Sequence, residues 1–171
     1  MVKTGLVEIS ALAASLALIV AVPVLAQDSP WDKYKPGSIA GIIASEDSGI
    51  REQFAADSGH HSIVSGDSRP TKATVIYTDS SRATPIETMR LLRTWVKSLG
   101  IRADAPDALQ TEVLFREGGH SYWLPVQQQL IPALKREVKA GQQMTILVAW
   151  VGAEGKHTIN WVFIVNEFSA E

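Results

Sequence analysis

Residues 144–168, which read MTILVAWV-GAEGK-HTINWVFIVNEF, decide the fold. Two runs rich in β-branched and aromatic residues flank a short connection that contains Gly152 and Gly155, and this layout is typical of a β-hairpin. The first run is apolar on both faces, so either both faces are covered inside the domain or one face is a partner surface. We expect the rest of the chain to supply the elements that cover this hairpin.

The clearest helix signal upstream of the hairpin lies at 85–99. Thr84 and Glu87 have the spacing of a capping box, and Pro85 suits the first turn of a helix. Apolar residues then recur at helical spacing until Gly100, which is the residue type expected where the backbone turns left-handed after the last turn. The pattern therefore predicts an amphipathic helix over these residues.

A second helix is predicted within 127–140, with Pro132 either as its first residue or as the site of a kink. Strands are predicted at 71–78, 111–116 and 121–126, in addition to the hairpin. The order β-α-β-β-α-β-β indicates an α+β domain with a small antiparallel, strongly curved sheet of about five strands and two main helices. Two arrangements fit: an OB-like partly open barrel, and a ferredoxin-like open sheet with both helices on one face.

The N-terminal 26 residues have the layout of a secretory signal peptide. Lys3 supplies a positive charge, residues 11–22 are apolar, and small residues stand one and three places before a predicted cut after Ala26. Glu8 is atypical for such a signal, and a retained membrane anchor is the alternative. We expect an extracytoplasmic protein, periplasmic or secreted, with no stable membrane span after cleavage.

Two regions are predicted after the signal. Residues 27–69 are rich in Ser, Gly and Asp, and we expect an N-terminal arm with at most short helical turns, at 39–44 and near 51–56. Residues 70–171 are expected to form a single α+β domain. The arm serves either as a docking tail or as a loosely packed lead-in to that domain.

The composition excludes several classes of function. The chain has 171 residues, 46% of them hydrophobic, and a formal net charge of -2. This charge gives no electrostatic reason to bind nucleic acid or anionic lipid. There is no cysteine, which removes disulfides, thiolate catalysis and Cys-based metal sites. Neither a GxGxxG nor a Walker phosphate loop is present, and we expect no cofactor.

The sharpest catalytic candidate is Gly66-Asp67-Ser68, which follows a short apolar strand. This block resembles the Gly-Asp-Ser nucleophile block of SGNH-type hydrolases, and the resemblance implies Ser68 as the nucleophile, with Asp57 and His60, spaced Asp-x-x-His, as its supporting base. In that family the Asp-x-x-His pair lies downstream of the serine, whereas here it precedes the serine, and the family's βαβ alternation is missing. Turn chemistry in a Ser-rich loop is the competing interpretation.

Imidazole and carboxylate groups that lie in loops or turns are the candidate metal ligands. They are His60, His61, Asp57, Asp67, His120, Glu117 and His157. No HExxH or other motif of fixed spacing is present. We therefore predict solvated histidines in loops and no metal site.

The five tryptophans are the remaining candidates for a binding role. Trp150 and Trp161 are expected on paired strands, close enough to share a face. Together with Trp123 they form the candidate ligand-binding set, because exposed aromatic rings on a sheet suit stacking on sugars, peptides or bases. Burial in the core is the competing interpretation.

No coherent catalytic set is visible in the sequence. The leading expectation is therefore an exported, small, non-catalytic binding or interaction domain of unassigned ligand. Its partner would be a protein or a glycan of the cell envelope, and no nucleic acid is expected. Two alternatives stay open: a small serine hydrolase that uses Ser68, and an envelope-assembly protein that docks through its N-terminal arm.

Overall fold

One mixed seven-stranded sheet organises the parts of the chain that the computed structural model describes, which are residues 30–56, 62–155 and 158–170. The strands are β1 (Lys35–Gly37), β2 (Ser62–Ser65), β3 (Pro70–Ala83), β4 (Thr111–Glu117), β5 (His120–Val126), β6 (Gln143–Gly155) and β7 (Asn160–Ala170). The helices are α1 (Ile39–Ala56), α2 (Ile86–Ser98) and α3 (Ile131–Glu137). The predicted signal segment lies outside the described residues.

The predicted hairpin is confirmed as the antiparallel pair β6–β7, whose register runs from Met144 opposite Ala170 to Glu154 opposite Asn160. Both faces of β6 are buried. Ile146 belongs to an inner core cluster and Val151 to a separate outer cluster. Of the two expectations for this apolar strand, cover on both faces is therefore the one observed.

The strand order is β1-β3-β4-β5-β7-β6-β2, and β3 also pairs with β6. The long strand β3 reaches two neighbours because its first half pairs with β6 and its second half with β4. β5 and β7 share a single parallel pair, Val126 with Val165. The sheet is therefore not a closed barrel, and among the described residues the two strands are otherwise unpaired with each other.

The prediction of about five antiparallel strands and two main helices is wrong in detail. From β3 to β7 the element order follows the prediction, but β1, α1 and β2 precede it. Two strand pairs are parallel, β1 with β3 and β5 with β7. The added strands are short edge strands that pair with β3 and β6, and β2 coincides with the short apolar strand expected before Gly66.

The predicted limit of the arm to short helical turns is also wrong. α1 runs without interruption through Gly41 and Gly49, two residues that disfavour a helix in isolation. Its Ile39, Ile42 and Ile50 are buried in the inner cluster. Burial of this apolar stripe against the sheet outweighs the low helix propensity, as is common for helices within proteins.

The predicted helix at 85–99 is observed as α2, but its predicted cap is not. Pro85 stands at the N-cap position without a side-chain hydrogen bond, and the Thr84 hydroxyl donates instead to the carbonyl of Leu109 at 2.6 Å. Gly100 has φ of 65°, as expected for the residue that ends the helix. In α3, Pro132 is the second residue and lies in the first turn, one place after the first of the two positions expected for it.

The two helices that follow β3 pack against different clusters. α3 places Leu134 in the inner cluster, whereas α2 places its apolar stripe in the outer cluster. The inner cluster also contains Tyr77, Phe115, Ile146 and Phe163. The buried members contributed by α2 are Met89, Leu91, Leu92, Trp95 and Val96.

The N-terminus of α1 is held by a distant carboxylate. Glu117, at the end of β4, accepts hydrogen bonds from the backbone N–H groups of Ile39 at 3.0 Å and Ala40 at 2.8 Å. These are two of the donors that a helix leaves unpaired in its first turn, and a negative charge there is also favoured by the helix dipole. This role, rather than metal binding beside His120, accounts for Glu117.

Replacing Glu117 by alanine is expected to lower the free energy of unfolding by about 1–2 kcal/mol, because two N–H groups lose a charged acceptor. Urea unfolding followed by circular dichroism measures this change. Glu137→Ala is the matched control, because Glu137 pairs only with the exposed Arg136 among the contacts seen; its effect should stay within about 0.5 kcal/mol. Equal losses in both variants would contradict the capping role.

Candidate ligand-binding cleft between β5 and β7

A cleft of about 240 Å³ lies where β5 and β7 are unpaired, and we call it the β5–β7 cleft. Its walls are residues 121–125 of β5 and 160–162 of β7. Trp123 and Trp161, two of the three tryptophans predicted to bind a ligand, both line it and are partly exposed. The side chains that complete the lining are Ile43, Arg82, Thr88 and Glu112.

Arg82 and Glu112 hold Trp123 in place. The strand register puts Arg82 of β3 opposite Glu112 of β4, and Glu112 opposite Pro125 of β5. Residues paired in this way present their side chains on the same face. The Arg82 Nε lies 2.7 Å from Glu112 Oε2, and the guanidinium carbon lies 4.4 Å from the centre of the Trp123 ring. The Trp123 ring is thus positioned by a cation–π contact with Arg82, which is itself bound to Glu112.

The opposite wall carries a second polar group. Asn160, exposed at the start of β7, donates its side-chain amide to Thr88 Oγ1 at 3.3 Å and to Glu154 Oε1 at 3.2 Å. Glu154 is only 1% exposed, and Arg90 approaches its other oxygen at 3.9 Å. A buried carboxylate needs such partners. The network orients the Asn160 amide at the edge of the cleft.

Trp150, the third tryptophan of the predicted set, is not among the residues that line the β5–β7 cleft. It is 4% exposed, and its Nε1 donates to the Gly152 carbonyl at 3.1 Å. Its ring centre lies 6.1 Å from that of Trp161, although a register shift in β6 places Phe163 opposite it. Trp150 therefore belongs to the inner cluster and contacts Trp161 from there.

Ser68 lies in the loop between β2 and β3 with φ of 59°, in the left-handed region. Its neighbour Asp67 is bound by Arg69, whose NH2 lies 3.0 Å from Asp67 Oδ2. Asp57 and His60 lie outside the described residues, so the arrangement of the three predicted catalytic groups stays a prediction. The strand before Ser68 pairs antiparallel with β6 rather than within a βαβ unit.

Within the described residues, no group of three or more His, Cys, Asp or Glu side chains could hold a metal ion. His60, His61 and His157 fall outside that part of the chain, and Asp67 is engaged by Arg69. No helix in the same residues is long and apolar enough to cross a membrane.

Sequence reasoning identified the two cleft tryptophans but missed Arg82, Glu112 and Asn160. Arg82 lies beyond the predicted strand, which ends at residue 78. In fact β3 continues to Ala83 past a kink at Asp79, where φ is 60°. This extension of β3 is poor in apolar residues and is held by its pairing with β4. Local periodicity does not reveal such pairing.

Burial raises the pKa of Glu112 above its ordinary value, while the hydrogen bond and the charge of Arg82 act in the opposite direction. The folded protein therefore keeps the Glu112 proton at a pH where the unfolded chain has lost it. As the pH rises from the ordinary glutamate pKa through the raised one, this residue makes the free energy of unfolding fall.

Replacing Arg82 by methionine is expected to raise the pKa of Glu112 further, since desolvation is then no longer opposed by the guanidinium. A pH titration of the Glu112 side-chain carboxyl by carbon-13 NMR measures this pKa. Arg102→Met, which removes a cation from an exposed pair with Asp104, is the control and should leave Glu112 unchanged. An unchanged or lower Glu112 pKa in Arg82→Met would mean that the ion pair does not govern this carboxyl.

Comparison with known proteins gives this chain no relative: no protein-family model, no curated protein and no solved structure matches it.

Proposed function

We propose that this chain is an exported, non-catalytic binding domain whose β5–β7 cleft holds one sugar ring of an envelope glycan. The observation that carries the proposal is that two partly exposed tryptophans, Trp123 and Trp161, line one cleft together with the polar residues Arg82 and Asn160. Export is supported by the signal-like pattern of residues 1–26.

The chemistry of the cleft suits a sugar better than the other ligands that stack on aromatic rings. A pyranose has an apolar C–H face for an indole ring and hydroxyl groups for a guanidinium and an amide. The volume of about 240 Å³ is below the range of pockets for drug-sized ligands, so the cleft has room for one ring rather than for a long ligand. Nucleic acid is disfavoured because the chain carries a net charge of -2, without the excess of basic residues that phosphate binding requires.

We further propose that β3 to β7 form a partly open barrel of the OB type. The ring of pairings β3-β4-β5-β7-β6-β3 and the position of α3 between the third and fourth of these strands support this assignment. Packing of α2 and α3 in different clusters disfavours the ferredoxin-like alternative. OB-type barrels bind oligonucleotides and oligosaccharides on their second and third strands, which here are β4 and β5, the strands that carry Glu112 and Trp123.

Calorimetric titration of the purified protein tests the proposal. The probes are chitotetraose and cellotetraose, with a short oligothymidine and an unstructured alanine-rich peptide as representatives of the other ligand classes. We expect binding of at least one tetrasaccharide and none of the oligothymidine. If neither sugar binds, or if the oligothymidine or the peptide binds instead, the glycan assignment is wrong.

The serine hydrolase is the second candidate, and one observation favours it. Ser68 holds a left-handed backbone conformation, which is strained for a residue other than glycine by about 1–3 kcal/mol and is enriched at functional sites. Hydrolysis of p-nitrophenyl acetate by the purified protein, lost in Ser68→Ala, would support it. No hydrolysis above background, or equal hydrolysis by the variant, would remove it.

A further inference from the structure

A second cavity, of about 410 Å³, lies at the end of α2, and we call it the α2 cavity. Trp95 and Val96 of α2 and Ile164 of β7 line it, and the remaining lining residues are Ile101, Ala105, Ala108, Leu109, Gln127 and Asn166. No residue is shared with the β5–β7 cleft, and none of the lining side chains is charged. Its size and apolar walls with few polar groups are those of a small-molecule site.

Trp95 supplies an unexplained polar group at this cavity. The side chain is 7% exposed, and its Nε1 is the one buried side-chain nitrogen or oxygen, among the described residues, without a hydrogen-bond partner. Indole nitrogen can only donate, and buried donors are almost always paired. Trp95 thus lines an apolar cavity and carries an unpaired donor, and an acceptor from outside the chain that reaches this nitrogen would add a bond.

The other polar groups of the lining are already engaged. Gln127 donates its side-chain amide to Asn166 Oδ1 at 3.0 Å, and Asn166 donates to the Tyr34 hydroxyl at 2.8 Å. Among the described residues, the indole N–H of Trp95 is thus the one buried side-chain donor of the lining that lacks a partner.

The mouth of the cavity is apolar and exposed. Of the three exposed large hydrophobic side chains in the described residues, two lie at the end of α2: Leu99, 49% exposed, and Ile101, 44% exposed. Ile101 also lines the cavity. Clustered exposed apolar side chains beside a cavity are a common mark of a ligand site. Because the indole nitrogen is itself enclosed, a ligand reaches it through a local movement of the lining.

We propose that the α2 cavity binds a small, neutral, mainly apolar molecule that carries one carbonyl-type acceptor for the Trp95 indole N–H. The ligand is proposed to be neutral because the lining is uncharged: a charged ligand would lose its hydration without gaining an oppositely charged partner. The acceptor follows from the unpaired donor. This site is separate from the glycan cleft, and it does not depend on the proposed glycan function.

Benzophenone, a neutral aromatic ketone, and diphenylmethane, the hydrocarbon of the same shape, test the proposal on the full chain labelled with nitrogen-15 at its tryptophans. Benzophenone is expected to move the Trp95 indole N–H signal downfield and to bind about five-fold more tightly than diphenylmethane, which lacks the acceptor. In Trp95→Phe the two probes should bind equally. Ala108→Phe, which places a ring at an exposed position of the lining, should abolish both.

Three outcomes would overturn the inference. One is equal affinity of the wild type for the two probes. Another is binding that leaves the Trp95 signal in place or that survives Ala108→Phe. The third is a Trp95 signal that moves on dilution without any probe, which would show that a second copy of the chain covers the cavity. Trp95→Phe removes an unpaired donor rather than a bond, so it should remain folded, and its thermal melting checks this.

Discussion

Replacing Gly152 by alanine is expected to lower the free energy of unfolding by about 3 kcal/mol or more. Gly152 has φ of 149°, and a Cβ built on it would lie 2.1 Å from the carbonyl oxygen of Val64 in β2. That oxygen belongs to backbone and has little room to retreat, because Gly66 N donates to the Val151 carbonyl at 2.6 Å and ties the two strands together. The variant therefore has to break the β2–β6 pairing or distort the bulge in β6.

Urea unfolding of Gly152→Ala measures this loss, and Gly49→Ala is the matched control. A Cβ on Gly49, within α1, meets nothing within 4 Å. Because alanine favours a helix over glycine, the control should gain up to about 1 kcal/mol. The same substitution thus has opposite signs at the two glycines. If Gly152→Ala were as stable as the wild type, β2 would not lie as close to Gly152 of β6 as described.

Trp161→Ala is expected to weaken the affinity for the bound tetrasaccharide at least about ten-fold, a loss typical of a central aromatic residue in a binding site. Trp161→Phe, which keeps a smaller ring, should lose less. Trp31→Ala is the matched control: its ring lies away from the cleft, 5.9 Å from the Lys72 ammonium, and the affinity should be unchanged.

Calorimetry gives these affinities, and thermal melting separates lost binding from lost folding. The check is needed because Trp161 also packs against Trp150, so its removal loosens the inner cluster. A Trp161→Ala protein that stays folded and binds the sugar as the wild type does would remove Trp161 from the site. If Trp31→Ala lost more affinity for the sugar than Trp161→Ala, the binding site would have to be assigned near Trp31 instead.

The hairpin, α2 and the strands around 111–126 could be predicted because their signals are local. Runs of β-branched and aromatic residues in β6 and β7, and helical spacing followed by Gly100 in α2, each act within one element. α1 could not be predicted in full, because its glycines argue against a helix and its stability comes from burial of Ile39 and Ile50 against distant strands.

The candidate site was predictable only in its aromatic residues. Trp123 and Trp161 attract notice as tryptophans on strands, but nothing in the sequence brings Arg82 of β3 to Trp123 of β5. That meeting depends on the registers of two strand pairs, β3 with β4 and β4 with β5. Trp150 has the same local signal as Trp161, and only its position in β6 shows that it is buried.

The central claim is that the gap between β5 and β7 is a ligand site built on two tryptophans. The most direct test is a titration with the tetrasaccharide that binds in calorimetry, followed through the five tryptophan indole signals in a nitrogen-15 spectrum of the full chain. The account predicts that the signals of Trp123 and Trp161 move together with one saturation curve while those of Trp31 and Trp95 stay in place. Movement of Trp31 or Trp95 with no change at Trp123 and Trp161 would contradict it.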